Sequence, residues 1–207
     1  LGSRFKNKFA GTFGKASAIS LYPAKILGCL GDGGIVLTNE TEIYEKMKLL
    51  RDHGRHSETG EVVVWGFNTR LDNLQAAFLN YFMNNYDEVI ERRRNLASLY
   101  HERLSSVEEL ILPEPPNEGD HFDVFQNYEI QTKKRNDLKK YLEKNGIGTL
   151  IQWGGKAIHQ FKDLQFKQNL PNTDKIFSEI LMLPLNMFVT EEEIKFITKT
   201  IKNFFTH

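Results

Sequence analysis

Residues 17–34 read SAISLYPAKILGCLGDGG, an apolar run broken by glycines that carries a single lysine, Lys25. Ala18–Tyr22 has the composition of a buried strand, and Gly31-Asp32-Gly33-Gly34 makes a tight turn before Ile35–Thr38 restarts a strand. Asn39 with Glu42 three residues on has the form of a capping box, and Ile43, Met47 and Leu50 follow at helical spacing until Gly54. A strand, turn, strand, helix order of this kind belongs to α/β domains. Within it the lysine has two readings. Its stem can lie along apolar neighbours with the ammonium in water. Alternatively it is desolvated, with a lowered pKa that frees its amine to form a Schiff base with a carbonyl cofactor.

The rest of the chain keeps the α/β pattern. Residues 53–67 carry Gly54, Gly60 and Gly66 and read as an extended loop with a short strand at Val62–Trp65. Thr69 and Asp72 offer a cap for a helix with Leu71, Leu74, Ala77, Phe78 and Tyr81 on one side. A break at Asn84-Asn85 precedes a second helical stretch through Ile90, Leu96, Ala97, Tyr100 and Leu104. Pro113–Gly119 reads as a linker. Beyond it, Asn127–Gln131 reads as a strand, Asp137–Lys144 as an amphipathic helix stopped by Gly146, and Ile147–Trp153 as a second strand. Thr190 to Glu193 forms another capping box, opening a helix that buries Ile194, Ile197, Ile201 and Phe204.

Composition narrows the function classes. The 207 residues include 27 Lys plus Arg and 27 Asp plus Glu, so no overall field draws the chain to nucleic acid or an anionic membrane. A single cysteine excludes an internal disulfide, and no apolar run approaches the roughly 18 to 20 residues of a membrane span. A cytoplasmic protein is expected. Leu1-Gly2-Ser3-Arg4-Phe5-Lys6 includes neither an initiator methionine nor a signal-peptide core, and reads as the middle of a longer protein.

Several separated blocks then carry a resemblance: Gly11-Thr12-Phe13-Gly14, Ser20-Leu21-Tyr22-Pro23-Ala24-Lys25, Leu27-Gly28 and Gly31-Asp32-Gly33-Gly34. Downstream stand Leu50-Arg51-Asp52-His53-Gly54, Gly66 to Asp72, Leu74-Gln75-Ala76-Ala77 and, more loosely, Arg92 to Ala97, Gly146 to Thr149, His159 and Leu183-Pro184-Leu185. In this order they resemble the pyridoxal-phosphate-dependent sugar aminotransferases of the DegT/DnrJ/EryC1/StrS family across the whole chain. The resemblance implies a type I aminotransferase fold, with residues 1–85 as the later part of a large cofactor-binding α/β domain and its linking helix. Residues 86–207 would form a small C-terminal α/β domain.

It further implies that Lys25 binds pyridoxal 5′-phosphate covalently and then shuttles the proton of transamination. Ser20 would hydrogen-bond the cofactor phosphate, and Asn68 would reach across a homodimer interface to the phosphate of the neighbouring subunit. Glutamate would give its amino group to a nucleotide-linked keto-sugar, in surface-glycan or amino-sugar biosynthesis. Tyr22, Arg70, Trp153 and His159 either line the sugar-nucleotide pocket or are ordinary packing and surface residues. A phosphate dianion needs several fixed donors, and a hydroxyl, an amide and backbone N–H groups supply them without excess charge.

The departure lies upstream. The family's carboxylate for the pyridine nitrogen, its first phosphate-binding Gly-Thr turn and its ring-stacking aromatic precede the position matching Leu1. By itself the chain is therefore expected to be inactive, and the rival reading is a non-catalytic fragment or binding module of the same fold. Gly31 to Gly34 reads as a turn rather than a ligand loop, and His53 and His56 as loop residues without a metal.

Overall fold

A computed structural model describes residues 1–117 and 119–206, and the chain divides into two units, Leu1–Ile90 with Glu118–Val124 and Glu91–Asn117 with Phe125–His207. The first contains β1 (Arg4–Phe5), β2 (Lys8–Phe9), β3 (Ala16–Ser20), β4 (Gly34–Thr38), α1 (Thr41–Arg51), α2 (Asn73–Met83), the first turn of α3 (Tyr86–Leu104) and β5 (His121–Phe122). The second contains the rest of α3, then β6 (Tyr128–Gln131), α4 (Arg135–Lys144), α5 (Pro171–Glu179), β7 (Ile180–Leu183) and α6 (Glu191–Thr206).

In the first unit, β3 and β4 pair antiparallel from Ala16↔Thr38 to Ser20↔Gly34. The strand β3 ends two residues earlier than the composition predicts, because Leu21 leaves the ladder to enter a core with Leu27, Cys29, Leu79 and Tyr86. Leu21 is fully buried there, a position that stabilises by about 1.5 to 3 kcal/mol for a leucine side chain. A second small sheet has the order β2-β1-β5, all antiparallel. The guanidinium of Arg4 lies 4.1 Å from the centre of the Phe122 ring.

Three local expectations fail in this unit. The α1 cap is Glu40 without a side-chain hydrogen bond, and the Asn39–Glu42 capping box does not form. Thr38 explains this: its hydroxyl accepts from the Glu40 N–H at 3.0 Å and moves the helix start on by one residue. Val62–Trp65 is no strand. Backbone contact between Gly54 and residues 64–66 is too close for any side chain at Gly54 or Gly66, and it leaves a tight loop with only the bridge Arg55↔Val62. In α2, capped by Asp72 accepting from the Gln75 N–H at 2.8 Å, Leu79 is buried while Leu74 and Tyr81 are exposed within the unit.

The second unit has the antiparallel pair β6 and β7, registered from Tyr128↔Leu183 to Gln131↔Ile180. Its core joins Leu96, Tyr100 and Leu104 of α3 to Ile130, Leu138, Leu142, Leu181 and Leu183, and to Ile194, Ile197 and Ile201 of α6. Tyr100 stacks on Tyr128 with centroids 4.8 Å apart and donates to the Pro184 carbonyl at 2.8 Å. Buried Arg93 donates to the Phe125 and Leu185 carbonyls at 3.2 and 3.1 Å, which compensates for its removal from water.

The partner of β6 is β7, a strand with no period of its own that the sequence does not announce. Ile147–Trp153, predicted as the strand, contributes only the bridge Leu150↔Met182. Trp153, Gly154 and Gly155 then turn into the left-handed region at φ 49°, 65° and 78° and end the extended path. The Thr190 capping box forms as predicted, with the Thr190 N–H donating to Glu193 at 2.8 Å and the Glu193 N–H to the Thr190 hydroxyl at 3.2 Å.

The backbone N–H of Thr190 first, and then its hydroxyl donating to the Glu193 carboxylate at 3.0 Å, hold the Glu193 carboxyl below its ordinary value. A lowered pKa contributes stability that is complete above the unfolded-state value and lost as pH falls through the folded one. Thr190→Ala is expected to cost about 1 kcal/mol at neutral pH, with a smaller difference from wild type once acid has protonated Glu193. Denaturation at both pH values checks this; an equal difference at both would show that the hydroxyl and carboxylate do not act together.

Candidate active site

Lys25 lies on the connection between β3 and β4, and that connection is fixed at several points. The Leu21 N–H donates to the Gly33 carbonyl at 2.9 Å, and the Cys29 N–H returns to the Leu21 carbonyl at 2.7 Å. The Lys25 N–H closes a turn on the Tyr22 carbonyl at 2.8 Å. Gly28 crosses so near this turn that a Cβ there would sit 2.8 Å from the Tyr22 and Pro23 carbonyl oxygens. The Leu30 N–H donates to the Gln75 side chain at 2.8 Å, which ties the connection to α2.

With Leu21, Leu27 and Cys29 turned into the core, Lys25 is turned out. It is exposed within the described structure. Among the described residues its ammonium makes no hydrogen bond or ion pair. Ser20 ends β3, exposed, and its hydroxyl accepts from the Tyr22 N–H at 3.3 Å. Tyr22 is exposed on the same connection. One short segment thus presents an amine, a hydroxyl and a phenol.

Asn68 and Arg70 stand on a second segment, held by the end of α1. The last carbonyls of a helix have no intrahelical partner, and here those of Leu50 and Arg51 accept from the Phe67 and Thr69 N–H groups at 2.7 and 3.0 Å. Arg70 donates from Nε to the Asn68 Oδ1 at 3.2 Å and from Nη1 to Asp52 at 2.9 Å. Arg55 donates to the other Asp52 oxygen at 3.1 Å. The Arg55 hydrogen bond first, then the charges of Arg55 and Arg70, hold the Asp52 carboxyl below the usual aspartate range.

Trp153 and His159 belong to the second unit. Trp153 is exposed on its left-handed turn. His159 has its side chain 8% exposed, with Nε2 2.8 Å from Asp174. Its Nδ1 is buried with no partner among the described residues. Asp52, Arg55 and Gln75, which fix the two segments, were absent from the sequence-derived site; the Arg-Asp-His-Gly and Leu-Gln-Ala-Ala blocks were the only signal of Asp52 and Gln75, and Arg55 had none.

The DegT/DnrJ/EryC1/StrS aminotransferase family pattern matches residues 1–202. The chain belongs to this family. A pleiotropic regulatory protein of Geobacillus stearothermophilus is 32% identical over all of this chain and 56% of its own length. A UDP-N-acetyl-3-dehydro-α-D-glucosamine 3-aminotransferase of Acidithiobacillus ferrooxidans is also 32% identical, over 98% of this chain and 54% of its own. The crystal structure of a DegT/DnrJ/EryC1/StrS aminotransferase from Brucella abortus superposes with a TM-score of 0.90 at 30% identity, covering 100% of this chain and 55% of the other. The chain therefore has the type I aminotransferase architecture of that family, and it spans about half the length of the curated relatives it matches.

Pyridoxal phosphate is the cofactor of the family, and the residues present fit it. Ser20 and Lys25, five positions apart on one fixed segment, offer a hydroxyl for the phosphate and an unpaired primary amine for the aldehyde. Among the described residues no three His, Cys, Asp or Glu side chains cluster as a metal site, and no helix is long and apolar enough to cross a membrane.

Proposed function

We propose that the full-length protein is a pyridoxal-phosphate-dependent aminotransferase that passes the amino group of glutamate to a nucleotide-linked keto-sugar. The observation that carries this reading is Lys25 itself: an exposed amine, free of ion pairs among the described residues, on a turn whose backbone is held on both sides, in a chain matched to a sugar-aminotransferase family over residues 1–202. The pyridoxal ring, when bound, supplies the electron sink that lets an amino group leave one carbon and join another.

The work of this chain's own residues follows from their chemistry. Lys25 anchors the cofactor and, once released, holds and returns the proton at its Nζ, for which it must be neutral part of the time. Ser20 donates its hydroxyl to the phosphate, and Asn68 donates its amide to the phosphate of a neighbouring subunit, so the working unit is a homodimer with shared sites. Exposed Tyr22 and Trp153, with Arg70, contact the sugar nucleotide; His159, turned inward against Asp174, would join them only by exchanging that bond. In this reading residues 1–85 complete the cofactor domain and 86–207 form the small domain, in a cytoplasmic enzyme.

A non-catalytic binding module is the second reading, favoured by one observation: the relative from G. stearothermophilus bears a regulatory name at 32% identity. Turnover separates the two. In the full-length protein Lys25→Ala is expected to abolish sugar amination while leaving the melting temperature near wild type; undiminished turnover would remove Lys25 from catalysis. Asn68→Ala is expected to release the cofactor more readily on dialysis, since a phosphate donor is worth about 1 to 3 kcal/mol; equal retention would make Asn68 structural.

A further inference from the structure

The amide of Asn68 can face a ligand with either of two chemistries, a carbonyl oxygen that repels phosphate or an NH2 that binds it. The neighbouring side chains decide between them. Arg70 has donors only, so the 3.2 Å contact from its Nε must be made to the oxygen of Asn68, Oδ1. The NH2 group is thereby turned the other way, and among the described residues it makes no hydrogen bond.

Arg70 can hold that oxygen only while its own guanidinium is held. Asp52 does so from Oδ1 at 2.9 Å, and Arg55 secures the other carboxylate oxygen at 3.1 Å. Asp52 also faces Asn68 directly in an antiparallel backbone bridge, so the main chain and the side chains bind the same two positions together. The carboxylate side chain is 26% exposed against 46% for each arginine, which makes it the more enclosed member of the group.

We infer that Asp52 is a positioning residue: by gripping Arg70 it fixes the Asn68 amide with its NH2 outward, ready for an anionic oxygen of a phosphate monoester. The inference rests on the proposed role of Asn68 at the cofactor phosphate. It gives Arg70 a duty besides substrate contact, and it makes Asp52 matter to phosphate binding without touching the phosphate.

The test is equilibrium binding to the full-length apoprotein, using pyridoxal phosphate and, as the control ligand, pyridoxal without the phosphate. Asp52→Asn and Asn68→Ala should each weaken pyridoxal phosphate about tenfold and leave pyridoxal unchanged. The double variant should bind no more weakly than Asn68→Ala alone, because Asp52 acts through Asn68. Arg70→Lys, which keeps the charge but has no Nε–H fork, should match Asp52→Asn and serves in its place if Asp52→Asn lowers the melting temperature.

Equal losses for both ligands, or additive losses in the double variant, would overturn the inference and make Asp52 a fold residue. Wild-type binding by Asp52→Asn alongside weakened binding by Asn68→Ala would overturn it while leaving Asn68 at the phosphate. Unchanged binding by Asn68→Ala would remove the role of Asn68 and the inference with it.

Discussion

The burial of Leu21 is the constraint on which the candidate site depends. Its side chain enters the first core and its backbone takes two bonds, its N–H donating to the Gly33 carbonyl and its carbonyl accepting from the Cys29 N–H. Thirteen residues between paired strands would otherwise be a loose loop. With Leu21, Leu27 and Cys29 anchored, the intervening turn has one way to lie, and Lys25 stands on its outer side. Core packing and the placement of the Lys25 amine are here one event, and Gly28 lets the chain cross close enough for both.

The second segment is placed by a different kind of interaction. Helix α1 ends with carbonyls in need of donors, and Phe67 and Thr69 supply them. This locates Asn68 between two residues whose main chains are committed. Charge then does what backbone bonding cannot, since the orientation of an amide side chain is decided by Asp52, Arg55 and Arg70. Apolar burial thus sets the position of Lys25, whereas polar contacts set the direction of Asn68.

Much of this was legible in the sequence where one residue decides a local geometry. The Thr190 and Glu193 cap, the break at Asn84 and the stop at Gly146 are of this kind. Strands whose partners lie far along the chain were not. Ile180–Leu183 shows no alternation because both faces are enclosed, and the Ile147–Trp153 run has strand composition but meets left-handed geometry at Trp153. The candidate site divides in the same way. Lys25, Ser20 and Asn68 stand in motif blocks, while Asp52 and Gln75 act on residues 16 and 45 positions away, a relation that appears only when the chain is folded. The exposure of Lys25 was one of the two readings its neighbours allowed: the apolar residues that suggest burial point inward and turn the lysine out.

The claim at the centre is that Lys25 is the covalent anchor of pyridoxal phosphate. The most direct measurement is the visible absorption of the full-length protein with the cofactor, followed by borohydride reduction and peptide mass mapping. The account predicts a yellow protein whose cofactor becomes fixed to the peptide containing Lys25. A colourless protein, or cofactor fixed to another peptide, would contradict it.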